Sequence, residues 1–172
     1  MNKLCQYYVW LKRLRYSRGF GIQSPTDYQY VRYVINEHWP YYAFTEIGHT
    51  YDSLKRKLGQ LYFRVANARQ PDVIVDWLGY DDYLMAACPN AQIVRSAAKV
   101  ELAFLPLNID YNRLFDLCDE HSVVVFQDIW RNQPLWHCIE YDERVSVTFD
   151  LYYCAIVFFD KKRSPHNYVV NF

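Results

Sequence analysis

Long hydrophobic runs are missing from this chain. The stretch Cys154-Ala155-Ile156-Val157-Phe158-Phe159 is far too short to span a bilayer, although 52% of the 172 residues are hydrophobic. Residues 1–16, MNKLCQYYVWLKRLRY, hold an apolar patch, but polar residues interrupt it and no small-residue cleavage site accompanies it. That makes a poor secretory signal, so a cytoplasmic protein with no membrane attachment is expected. Net charge is missing too: 19 basic and 19 acidic residues sum to zero, which argues against a general binder of nucleic acid or membranes. The basic clusters Lys12-Arg13-Arg15-Arg18, Lys55-Arg56-Lys57 and Lys161-Lys162-Arg163 therefore read as solvated faces.

Metal-ligand spacing is also lacking. Cys5, Cys88, Cys118, Cys138 and Cys154 are odd in number with no C-x-x-C, and the five histidines form no H-x-x-x-H pair. Reduced, mostly buried thiols are expected, with neither a disulfide framework nor a metal site. What the chain does have is aromatic mass: seventeen tyrosines and five tryptophans, many of them before residue 63. Tyrosine tolerates a half-wet interface, so packing and subunit contact are the expected roles.

Residues 1–70 read as helical and 71–172 as an α/β part of one domain. Helices are expected over 3–16, from Pro25 to about Glu37 with Ser24 as N-cap, and from about Asp52 to Ala68. After Pro71, Val73-Ile74-Val75, VELAFL (100–105) and SVVVFQDI (from Ser122) are apolar without alternation, as strands covered on both faces are. Their starts at 73, 100 and 122 are spaced like strand–helix crossovers, which gives a small parallel sheet. Shorter helices are expected over 84–88, from an Asn108 cap to about Asp119, and over 134–141. VSVTFDL and YCAIVFF then follow too closely for a parallel crossover and should be antiparallel, with a last strand over 167–172.

The stretch VIVDWLGYDD places an acid, Asp76, at a strand end and Gly79 just before a helix, the grammar of a nucleotide-binding turn. The C-terminal third, SVVVFQDIWRNQPLWHCIEYDERVSVTFDLYYCAIVFF, resembles a bacterial group of class I S-adenosylmethionine-dependent methyltransferases, of the oxygen-methyltransferase type. GFGIQSP, YYAF and LYFRVANARQPDVIVD are similar to the leader and first-strand approach of the same group. The resemblance implies a three-layer α/β sandwich with a Rossmann-like sheet and extra N-terminal helices. It implies cofactor contacts at Asp76 and Gly79, and at Asn108 and Asp128 after the family's fourth and fifth strands.

The chain departs from that pattern in the middle. The loop after Asp76 is shortened and keeps one glycine, and Arg95-Ser96 stand where the ribose-binding acid belongs. Only four residues separate Arg95 from VELAFL, so the family's second crossover and third strand are absent. Pro106-Leu107-Asn108-Ile109 replaces Asp-Gly-Asn-His, and Gln127-Asp128 replaces Asp-Asp. The expected sheet is the family order reduced to 1-4-5-7-6, with the edge at 73–77 covered by residues 90–96 or by a second subunit.

These losses imply a catalytically inactive methyltransferase-like domain with no cofactor, acting through a protein partner or as a homodimer. Its vestigial cofactor residues would be Asp76, Gly79, Asn108 and Asp128, with no catalytic residue. The alternative is an S-adenosylmethionine-dependent methyltransferase with a reduced site, in which Asp128, Asn108 or His137 faces the acceptor. A nucleic-acid or nucleotide binder would use Arg95 and Arg131. His137 and Cys138 point about 100° apart on a helix, so they read as a surface or pocket histidine and a core cysteine.

Overall fold

A computed structural model describes residues 3–172 except the side chains of Lys3 and Arg18, so the side chain of Arg18 in the first basic cluster lies outside what is described. The chain divides into two compact units. One gathers residues up to Gln70 with Tyr80–Pro89 and Val170–Phe172; the other holds Pro71–Gly79 and Asn90–Val169. No described helix is long and apolar enough to cross a membrane.

The second unit is a mixed seven-stranded sheet. Its strands are β1 (Val73–Asp76), β2 (Gln92–Val94), β3 (Val100–Pro106), β4 (Cys118–Gln127), β5 (Val147–Asp150), β6 (Cys154–Phe158) and β7 (His166–Val169). They lie in the order β2-β1-β3-β4-β6-β5-β7. The first four are mutually parallel, β6 runs antiparallel to both β4 and β5, and β7 is parallel to β5. The order thus differs from the five-strand expectation by a strand beyond each expected edge. On one side β2 pairs with β1, Ile74 opposite Ile93, and satisfies backbone groups that the apolar β1 would otherwise expose. On the other, β7 occupies 166–169 rather than 167–172.

The same unit contains two helices written after β3 and β4. Tyr111–Phe115 and Gln133–Glu140 place Phe115, Trp136 and Ile139 in one buried cluster with Ala103, Val124 and Val157 of the sheet. The latter helix starts where the Asn132 side chain accepts from the Leu135 amide at 3.2 Å, with Pro134 in its first turn. The expected helix from Asn108 to Asp119 is corrected. Only residues 111–115 are helical, Asn108 lies in a turn, and 118–121 extend β4. A local anchor explains the extension: Ser122 Oγ donates to the Val100 carbonyl and accepts from the Asp119 amide at 2.8 Å. That draws a polar stretch into the ladder, with a register shift between Val100 and Leu102.

The first unit is helical. We number the helices in chain order: α1 (Lys3–Lys12), α2 (Pro25–Tyr30), α3 (Ser53–Arg69) and α4 (Asp81–Ala87), with α5 and α6 the two just described. α1 is shorter than expected and gives way to a 3-10 segment, Leu14–Gly19. Ser24 caps α2 through the Asp27 amide at 3.3 Å, as its position predicts. The helix then widens into a π-turn over Val31–Ile35, which replaces the regular helix expected to about Glu37. α3 is capped by Asp52, whose Oδ1 accepts from Leu54 N at 2.8 Å and Lys55 N at 2.9 Å.

The thiols divide differently from expectation. Cys88 and Cys154 are buried and Cys118 is half-buried, but Cys5 and Cys138 are exposed, so Cys138 is not a core residue. Burial pushes the Cys118 thiol up to about 12 and raises Cys88 above its ordinary value. Since the thiolate is the reactive form, a disulfide reagent at pH 8 should titrate Cys5 and Cys138 rapidly in the folded protein and the other three only after denaturant is added. Fast reaction of all five in native buffer would contradict this burial.

Candidate functional site

Because β1, β3 and β4 are parallel, Asp76, Asn108 and Asp128 all leave the same, carboxyl-terminal edge of the sheet, the edge where open α/β sheets bind ligands. Two of the three make hydrogen bonds to their own loops. Asp76 is fully buried, and its two carboxylate oxygens accept from the Leu78 amide at 2.9 Å and the Gly79 amide at 3.0 Å. Gly79 adopts φ +74°, which lets the turn close back on the acid. The Arg95 guanidinium donates to the Asp76 carbonyl, and the Trp77 indole donates to the Arg95 carbonyl at 2.6 Å. Arg95 thus ties the β1 exit to the β2 exit, and Trp77 stands 53% exposed over the same loop.

Asn108 is exposed on the turn after β3. Asp128 follows β4 in a left-handed conformation, φ 63°, which aspartate tolerates better than most residues. Its carboxylate accepts from the Trp130 indole at 3.3 Å and pairs with Arg131 at 3.3 Å, while its amide donates to the Tyr153 carbonyl at 2.7 Å. Trp130 stacks on Tyr152, and Arg131 lies over the Trp130 ring. His137 is exposed and its Nδ1 sits 2.9 Å from the Glu140 carboxylate one helical turn on. The topology therefore brings Asp76, Asn108 and Asp128 to one sheet edge, where the Asp76 and Asp128 carboxylates also accept hydrogen bonds from their own loops.

A different feature lies in the helical unit, where sequence reasoning placed no site. The helix ends at Ile35, which leaves the carbonyls of Val34 and Ile35 without helical partners, and Arg64 of α3 caps both, Nε to Val34 at 2.7 Å and Nη2 to Ile35 at 2.9 Å. Burial lowers the guanidinium to about 10, still charged at neutral pH, with Glu37 partly offsetting that cost. Glu37 accepts from the Tyr41 hydroxyl at 2.7 Å, and burial together with Glu37 raises the Tyr41 pKa. Beside this network opens a cavity of about 850 Å³. Its lining comes from positions as far apart as 10 and 172, so no local motif could have announced it.

Compared with known proteins, the chain matches no family model, no curated protein and no solved structure.

Proposed function

We propose that this chain is a reduced, Rossmann-like methyltransferase fold, a three-layer sandwich that has lost methyl transfer and acts by protein–protein contact, the first partner being a second copy of itself. The succession β1-β3-β4-β6-β5, with β6 alone reversed, supports the fold reading. The commitment of the Asp76 carboxylate to its own turn supports loss of cofactor binding.

The observation that carries the binding role is on α1. Leu4, Tyr7, Tyr8 and Leu11 recur at i, i+3, i+4 and i+7, the spacing of a buried helix face, and all four are exposed. A patch of that kind marks an interaction surface. A twofold axis needs only one self-complementary patch, and a net charge of zero leaves no overall repulsion between copies.

Sedimentation at tens of micromolar should give a dimer, and Tyr8→Asp with Leu11→Asp should give a folded monomer. A wild-type monomer under those conditions would remove the self-association reading. Titration with S-adenosylhomocysteine should release no heat at millimolar ligand. Binding tighter than about 100 μM would instead favour a methyltransferase with a rebuilt site.

A further inference from the structure

We infer that two copies of the chain meet across charge. The basic helical unit of one copy contacts the acidic sheet unit of the other, and a twofold axis makes that contact twice. This contact presupposes the self-association of the chain and adds to it the surfaces involved. The zero net charge conceals a segregation. Eleven of the nineteen basic residues lie in the helical unit with six of the nineteen acids, and the sheet unit holds the other eight and thirteen. However the acids of the helical unit pair, five cations remain there, and the sheet unit keeps an equal excess of acids.

The apolar face of α1 lies within the basic excess. Lys12 and Arg15 stand exposed at the carboxyl-terminal end of the stripe formed by Leu4, Tyr7, Tyr8 and Leu11. No acid occurs in the chain before Asp27, while Lys3, Lys12, Arg13, Arg15 and Arg18 precede it. Packed only on its twofold mate, α1 would therefore bring none but like charges together. Like charges set against each other across an interface oppose association. The cations around α1 need an acidic surface on the other copy.

The sheet unit offers one. Arg144 is committed to Asp142, Nε donating to Oδ1 at 2.8 Å and Nη2 to Oδ2 at 2.7 Å, a bidentate pair. Asp116 meets the same guanidinium at 3.1 Å with its side chain 72% exposed. Glu143, between Asp142 and Arg144 in the chain, is exposed as well. Three acids share one cation, which leaves this surface negative. Exposed charges of this kind set partner and register, and salt screens them. An apolar contact ringed by like charges would instead hold or tighten as salt rises.

The test is the dimer dissociation constant of the full chain, measured by sedimentation equilibrium. It should rise about tenfold from about 50 mM to about 500 mM NaCl. At the lower salt, Lys12→Glu with Arg15→Glu, and separately Asp116→Arg with Glu143→Arg, should each weaken the dimer about tenfold. All four positions are exposed and Arg144 keeps Asp142, so both variants should retain the wild-type melting curve. An equimolar mixture of the two variants should dimerise within about threefold of wild type, because each reversed surface then meets a reversed one and each native surface a native one. A dimer that salt leaves unchanged or tightens, or a mixture no stronger than its components, would overturn the contact and leave self-association through α1 standing. A wild-type monomer at low salt would remove both, and leave α1 to another occupant such as an anionic lipid surface.

Discussion

Replacing Arg64 by leucine should cost about 3 kcal/mol of folding free energy, read as a fall in the urea midpoint at constant slope. Two opposing terms decide the size. Arg64 is 7% exposed, and its lowered pKa records what the protein spends to keep a charge out of water. Leucine would recover that desolvation cost. It would also strand the Val34 and Ile35 carbonyls, which have no ladder partner because the helix ends there. Two charge-assisted bonds are worth more than one relieved desolvation when their acceptors stay buried. Arg64→Lys should fall between the two, because one ammonium cannot reach both carbonyls in the geometry of a guanidinium fork. A loss below about 1 kcal/mol for the leucine variant would mean that the two carbonyls find water or new partners.

Gly59→Ala should destabilise by about 2 kcal/mol, on the order of 6 °C in Tm for a chain of this size, although alanine is the better helix former. Gly59 sits in the middle of α3, and a Cβ there would stand 2.5 Å from Tyr83 Cδ2 and 2.9 Å from Cζ. The ring has nowhere to go. Tyr83 is fully buried, with Phe44 and Tyr51 at centroid distances of 6.1 and 6.2 Å, and Gly48 closes on its hydroxyl. The propensity gain of about 1 kcal/mol is smaller than the overpacking cost. Placing the same change in a Tyr83→Leu background should shrink the loss, and that coupling separates a clash from a backbone effect. If Gly59→Ala raises the midpoint, helix propensity has won and the close approach of α3 and α4 is not as described.

The readable parts of the fold were those whose cause is local. β1, β3 and the apolar half of β4 announce themselves as β-branched runs without alternation, and Ser24-Pro25 marks the start of α2 by cap chemistry alone. β2 is three residues long with no pattern of its own, and exists because β1 offers it a ladder. Cys118 and Asp119 read as the end of a helix and are strand, because Ser122 reaches the Val100 carbonyl. The π-turn was invisible for the same reason: its open carbonyls are answered by a side chain some thirty residues further on. At the sheet edge Asp76 could be found, since its carboxylate accepts from two amides within three residues of it. The cavity could not, since its walls come from separate helices and from the last residues of the chain.

The chain crosses between its two units repeatedly, entering the sheet at Pro71, leaving at Tyr80, returning at Asn90 and leaving again at Val170. A fragment cut at residue 70 would carry α4 into solution without α3, and Tyr80, Tyr83 and Leu84, all buried in the whole protein, would be stripped of the helix they pack on. Neither half can be inherited, exchanged or lost as a module in the way that domains strung on a linker can.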